Sequence, residues 1–244
     1  MAARSKSFPQ DVTSERCVKR IKLRKAESEK GTSTALSLAG GMAWLQVAVG
    51  YALIEVVLWT PRGRAQSAVM LMATVCILLF TGFGHYSARE LGLRLPSLKG
   101  AAWILTSGLI AAAGIVAGAG LMGENFPANT TWPTVNGAWQ YAIWGMVQQF
   151  ILQSFFYVRL ESVLGSGRAV LATAFLFSAA HIPSPVLTVA TLLGALFFCE
   201  MFRRCRSIYP LGIVHAMLGL AMAVSFPDTL LRHMRVGLGY LHFR

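Results

Sequence analysis

The chain has 244 residues, of which 55% are hydrophobic and 13% charged, with a mean hydropathy of +0.55 and a formal charge of +12. That balance excludes an ordinary soluble domain of this length. The basic residues sort by position along the chain, as set out below, so the net charge needs no nucleic-acid partner.

A helix needs about 20 apolar residues to cross roughly 30 Å of hydrocarbon, and stretches free of Asp, Glu, Lys and Arg recur along the sequence. Alternating apolar and polar residues, which a barrel would need, are missing. In lipid the backbone must satisfy its own hydrogen bonds, so we expect an all-α fold, a polytopic transmembrane bundle of about seven helices.

In chain order, residues 1–33 hold nine basic and four acidic residues with few large apolar ones, and read as a solvated tail or weak interfacial helix rather than a signal peptide. Spans are expected at 35–59, with Glu55 near its outer end; at 67–87, with His85 near its inner end; and at 101–123. The triplet Asn129-Thr130-Thr131 that follows fits a glycosylation acceptor in an outer loop. The next span, 139–164, carries Gln148, Gln149 and Gln153. Pro183 and Pro185 divide the long apolar run after it into helices at 169–182 and 185–202, because proline removes a donor and clashes with the preceding turn. The last span, 208–227, contains His215, and 228–244 reads as a short C-terminal tail.

With the N-terminus inside, inner segments carry seventeen Lys/Arg and outer segments five, which orients the N-terminus to the cytoplasm and, in a bacterium, makes the plasma membrane the expected location. Cys17, Cys76, Cys199 and Cys205 include no C-x-x-C pair and support neither a disulfide framework nor a zinc site. No cofactor is expected. Two histidines without a nearby carboxylate are a poor zinc site, since a catalytic zinc usually has three protein ligands, and the residues leave metal dependence and oligomeric state open.

Polar side chains inside spans are functional candidates by default. Glu200 has Arg203 and Arg204 at i+3 and i+4, which fits a helix-end salt bridge. At 1.5 Å per residue, Gln149 lies roughly 15 Å into its span, His181 roughly 18 Å and His215 roughly 10 Å, so three helices bring polar groups to one layer near the midplane. Glutamine and histidine can simply cross-link helices. Three amides within six residues, beside the only groups at that depth able to exchange protons near neutral pH, favour a shared site.

In order and spacing these features resemble the CPBP family of intramembrane proteases, the CAAX-prenyl-protease and bacteriocin-processing group also called Abi. Its E-E-x-x-x-R pattern is matched in spacing by Gln148-Gln149-Phe150-Ile151-Leu152-Gln153. F-x-x-x-H is matched by Phe177-Ser178-Ala179-Ala180-His181, and H-x-x-x-N/D half way by His215-Ala216-Met217-Leu218-Gly219. Gly92-Leu93-Arg94 and Arg206-Ser207-Ile208-Tyr209-Pro210 also look like the family's context. The resemblance spans roughly 90–225. It makes 34–100 the first two helices with their inner loop and 101–227 the family-like core.

The resemblance implies peptide hydrolysis inside the membrane by an activated water. Gln148 and Gln149 stand in place of the glutamates, Gln153 in place of the arginine, His181 and His215 in place of the histidines, and Gly219 in place of the asparagine. An amide cannot accept water's proton, yet losing both signs of charge together keeps the site neutral.

Two outcomes are open. His181 acts as the base, with Gln148 or Gln149 orienting water and His215 donating to the oxyanion, on a membrane-associated peptide or lipidated protein. Alternatively the chain is an inactive relative that binds a membrane peptide or partner, in an immunity or scaffold role. Glu200 could replace the missing carboxylates only by reaching across the bundle. A transporter would call for an internal repeat, and none is visible.

Overall fold

The structure, a computed structural model, describes residues 38–121 and 135–242, without the side chains of residues 135, 136 and 228. The expected N-terminal tail, Cys17 and the Asn129 acceptor lie outside the described residues. Ala43–Arg244 form one compact unit, and Leu38–Met42, the first helical residues of α1, belong to a second.

The chain is an all-helical membrane bundle: α1 (Leu38–Trp59), α2 (Arg64–Gly82), α3 (Leu98–Leu121), α4 (Val135–Gln149), a π-helical stretch (Phe150–Tyr157), α5 (Val158–Leu164), α6 (Ser166–Ala179), α7 (Pro185–Cys205) and α8 (Tyr209–Ser225). α1, α2, α3 and α7 are long and apolar enough to span a bilayer, and α6 and α8 are shorter apolar helices. Trp103, Leu109, Ile110, Val189 and Leu193 are exposed on α3 and α7, a surface that lipid rather than water would cover. Each expected span finds its helix.

α8 packs between α3 and α4, α6 pairs with α7, and the π-helical stretch touches α2, α6 and α7. Small residues set the approach along α8. A side chain at Gly108 of α3 would run into Val214, and one at Gly212 would run into Met146 of α4.

Two features depart from the sequence-based expectation. The span expected at 139–164 is continuous but not uniformly α-helical, since Phe150–Tyr157 widen into π geometry. Leu152 through Leu160 are all buried there, so this stretch forms the centre of the core. The helix expected at 169–182 ends at Ala179. Ala180–Pro183 form a turn, after which Ser184 caps α7 by accepting from the Leu187 amide at 3.4 Å, with Pro185 in the first turn.

The loops at one end interlock. Leu93 bridges to Ser207, the Ile208 amide donates to Gly92 O at 3.0 Å, and the Tyr209 hydroxyl donates to Leu93 O at 3.3 Å. The two context motifs, Gly92-Leu93-Arg94 and Arg206–Pro210, therefore meet. Gly92 has φ +71 and a Cβ there would strike the Phe202 ring, so both backbone and space require glycine. Arg206 adds an ion pair to Glu161 at 2.5 Å.

At the other end, residues 228–242, expected as a tail, fold back over the bundle. The Gly237 amide donates to Ile182 O at 3.1 Å, and Gly237 packs against the Leu58 carbonyl. Arg232, His233 and Met234 are successive left-handed residues within this cover.

Candidate active site

Tyr141, Gly145 and Gln149 recur every fourth residue on α4 and so share one face. That face meets α8: Gly145 lies against Gly212 and Ala216, and Gln149 against His215. Gln149 is fully buried, and its Nε2 lies 3.0 Å from His215 Nδ1. Gln153, also fully buried, donates from Nε2 to Gln149 Oε1 at 3.4 Å. Since the Gln149 oxygen is used as an acceptor, its amide nitrogen donates to His215 Nδ1. The ring proton then sits on Nε2, which becomes a donor.

Gln148 is one residue on, about 100° around the helix. It is half-buried and lines a different space, an open apolar cavity of about 630 Å³ lined by residues of α1, α2, α4, the π-helical stretch, α6, the start of α8 and the C-terminal cover. His181 lines the same cavity from the turn after α6. Its Nδ1 lies 2.7 Å from Phe177 O. A carbonyl only accepts, so Nδ1 carries the proton and Nε2 keeps its lone pair. The two imidazoles are thus set in opposite senses, one an acceptor at Nε2 and the other a donor.

They do not share one hollow. His215 lines a second, smaller cavity of about 70 Å³ with Tyr141 and Gly219. Phe177 and Met234 line both cavities. The Phe177 ring lies against both imidazoles, 4.8 Å from that of His181 and 6.2 Å from that of His215 by ring centroids. Phe198 stacks on His215 at 5.3 Å and fixes the ring plane. The expected single layer is therefore two adjoining chambers: Gln148 with His181, and Gln149, Gln153 and His215 in a buried relay. The expected depth of His181 inside a helix is corrected as well, because α6 stops before it.

Three residues have roles that the sequence alone hid. A side chain on Gly219 would collide with the Tyr141 hydroxyl, so the position where the family pattern carries an asparagine is filled by a phenol from α4. Arg159, counted among the inner basic residues, is fully buried. It donates to Gln46 Oε1 at 2.7 Å, Phe155 O at 2.9 Å and Phe80 O at 2.8 Å, lies over the Phe155 ring at 4.1 Å, and has no salt bridge among the described residues. Glu55 has one buried oxygen, Oε1, with no hydrogen-bond partner among the described residues.

Glu200 is held by Arg203 and Arg204 at 2.6–2.7 Å, as its spacing predicts, and is committed to that pair rather than to the cavities. Among the described residues no three His, Cys, Asp or Glu side chains converge as a metal site.

Residues 130–221 match the family described as Type II CAAX prenyl endopeptidase Rce1-like. The matched segment contains all five candidate residues, Gln148, Gln149, Gln153, His181 and His215. No curated protein and no solved structure matches the chain.

Proposed function

We propose, on the premise that residues 130–221 belong to the CPBP or CAAX-protease family, that this chain is an intramembrane endopeptidase acting on a prenylated or otherwise lipidated peptide. The observation that carries this reading is the opposed wiring of the two imidazoles. His181 Nε2, left with its lone pair by the Nδ1–H bond to Phe177 O, takes a proton from water while the water oxygen bonds to the scissile carbonyl carbon. His215 Nε2–H donates to the oxyanion that forms where the two adjoining cavities meet, beside the Phe177 ring that lines both. The C–N bond then breaks as His181 returns the proton to the leaving nitrogen, and the water oxygen stays in the new carboxyl group.

Gln148 orients the water. Gln149 and Gln153 hold the tautomer of His215. The apolar walls of the large cavity suit a hydrocarbon chain, and the basic end of the bundle faces the cytoplasm.

The test is cleavage of a farnesylated peptide by protein in proteoliposomes. His181→Ala lowers the rate by about 10² to 10⁴, and His215→Ala by about 10² to 10³. Cleavage by His181→Ala equal to that of the unaltered chain overturns the mechanism.

A second reading is favoured by the amides themselves, since none of the three glutamines can accept a proton. The chain then binds a lipidated peptide in the 630 Å³ cavity and leaves it intact. Saturable binding of the farnesylated peptide without any product selects this reading.

A further inference from the structure

The C-terminal cover lies beyond the matched segment, and part of it occupies the candidate site. Met234 and Val236 line the large cavity together with His181, and Met234 also lines the small one with His215. Arg235, between them, is extended, with φ −76 and ψ 150. Two residues on, the Gly237 amide donates at 3.1 Å to the carbonyl of Ile182, the residue that follows His181. A short stretch of this chain therefore runs past the His181 turn with side chains in the cavity and a main-chain bond at its rim. An extended peptide docks in the same way, with backbone bonds for affinity and side-chain pockets for specificity.

The stretch is held there against the preference of its own backbone. Arg232, His233 and Met234 have φ +49, +51 and +55. Residues with a Cβ visit this region singly rather than in series, and they persist in it only where the surroundings impose it. On one side Leu231 is buried, and Arg232 Nη1 donates to Tyr240 O at 2.9 Å with the guanidinium 4.2 Å over the Tyr240 ring, which closes the cover on itself. On the other side Gly237 has φ +56, and a Cβ there would run into the Leu58 carbonyl. Leaving the cavity releases the left-handed run, so the stretch is suited to exchange with another peptide.

Building on the protease reading above, we propose that Met234–Gly237 occupy the subsite for the peptide part of the substrate, with Ile182 O as its main-chain acceptor, and that an extended lipidated peptide displaces them on binding. The cover and the substrate then compete for one place. The unaltered chain binds substrate more weakly than its uncovered form, in proportion to the fraction of time the stretch is away.

The test uses the full chain in proteoliposomes. It measures binding of a farnesylated peptide, its cleavage, and the effect on both of a synthetic peptide with the sequence of residues 232–242. Gly237→Pro removes the amide that bonds to Ile182 O and fixes φ at about −65°, which the left-handed position does not accept, so the stretch leaves the cavity. For a stretch that is away about a tenth of the time in the unaltered chain, Gly237→Pro binds the farnesylated peptide about 10-fold more tightly. Cleavage at low substrate concentration rises with it. The synthetic peptide competes with the farnesylated one, more strongly in Gly237→Pro than in the unaltered chain.

Thermal unfolding in detergent identifies folded variants. Where Gly237→Pro does not fold, Gly237→Ala takes its place, since it presses on the Leu58 carbonyl and keeps the amide. Where neither folds, competition by the synthetic peptide on the unaltered chain decides alone. Unchanged or weaker binding by a folded variant, binding by no chain, or a synthetic peptide that competes with none overturns the proposal. Cleavage by no chain removes the protease reading, and binding and competition still judge the subsite.

Discussion

Neutral amides stand at Gln149 and Gln153 because that part of the helix is sealed: both side chains are fully buried, Gln153 donates to Gln149, and Gln149 donates to His215. A carboxylate placed there needs a cation, and none faces it. Gln149→Glu alone is therefore expected to destabilise the protein by about 3 to 5 kcal/mol, the cost of an uncompensated buried charge, and Gln149→Glu with Gln153→Arg to regain much of that loss. Thermal unfolding in detergent measures both, and equal melting of the single and double variants would refute the coupling. Gln148, facing the cavity, has no such constraint. Neighbours on a helix point about 100° apart, yet order and depth in the sequence grouped Gln148 and Gln149 in one shared site. The sequence could not show that Phe177 packs against His215, nor that the Tyr141 hydroxyl occupies the space beside Gly219, because those contacts join residues far apart in the chain.

Among the elements, charge-free runs located the spans well, because the cost of a charge in hydrocarbon leaves a plain record in the sequence. The π-helical stretch left none. Phe150–Tyr157 is apolar on every side except Gln153 and Ser154, so its pattern has no phase from which a change of winding can be read. Arg159 was hidden for a related reason. Its partners are the carbonyls of Phe80 and Phe155 and the amide of Gln46, and carbonyls carry no side-chain signature. The guanidinium ties α1, the end of α2 and the π-helical stretch together with one planar group. A lysine cannot address three directions with that geometry. Arg159→Lys should cost on the order of 3 kcal/mol, two charge-assisted hydrogen bonds at about 1.5 kcal/mol each. A melting temperature within error of the unaltered chain would show that the tie is dispensable. On the exposed loop between α2 and α3, Glu90 accepts from the Ser87 amide and hydroxyl at 2.7 Å, and these bonds hold its carboxyl below the usual range.

The molecule as a whole is fastened differently at its two ends. At the basic end, backbone pairing and the Arg206–Glu161 ion pair join the loops. At the other, the Gly237 amide of the cover (residues 228–242) bonds to Ile182 O, Gly237 packs on Leu58, Leu231 is buried, and Met234 and Val236 line the cavity. The sequence marked this segment only by its position after the last span, so its folding back was not legible. One consequence of the π-helical stretch reaches through every element that follows it. Bonds from i to i+5 accommodate a residue more per turn than bonds from i to i+4, so between Gln149 and Val158 the chain carries surplus length. Removing a single residue there, Ile151 for instance, lets the segment wind up as ordinary α-helix while α5 to α8 keep their azimuth. The same excision from α3, at Gly114, would swing half of that helix by about 100°. Membrane-inserted, detergent-stable protein is expected from the first deletion and aggregation from the second. Equal yields of folded material would mean that the surplus is not slack.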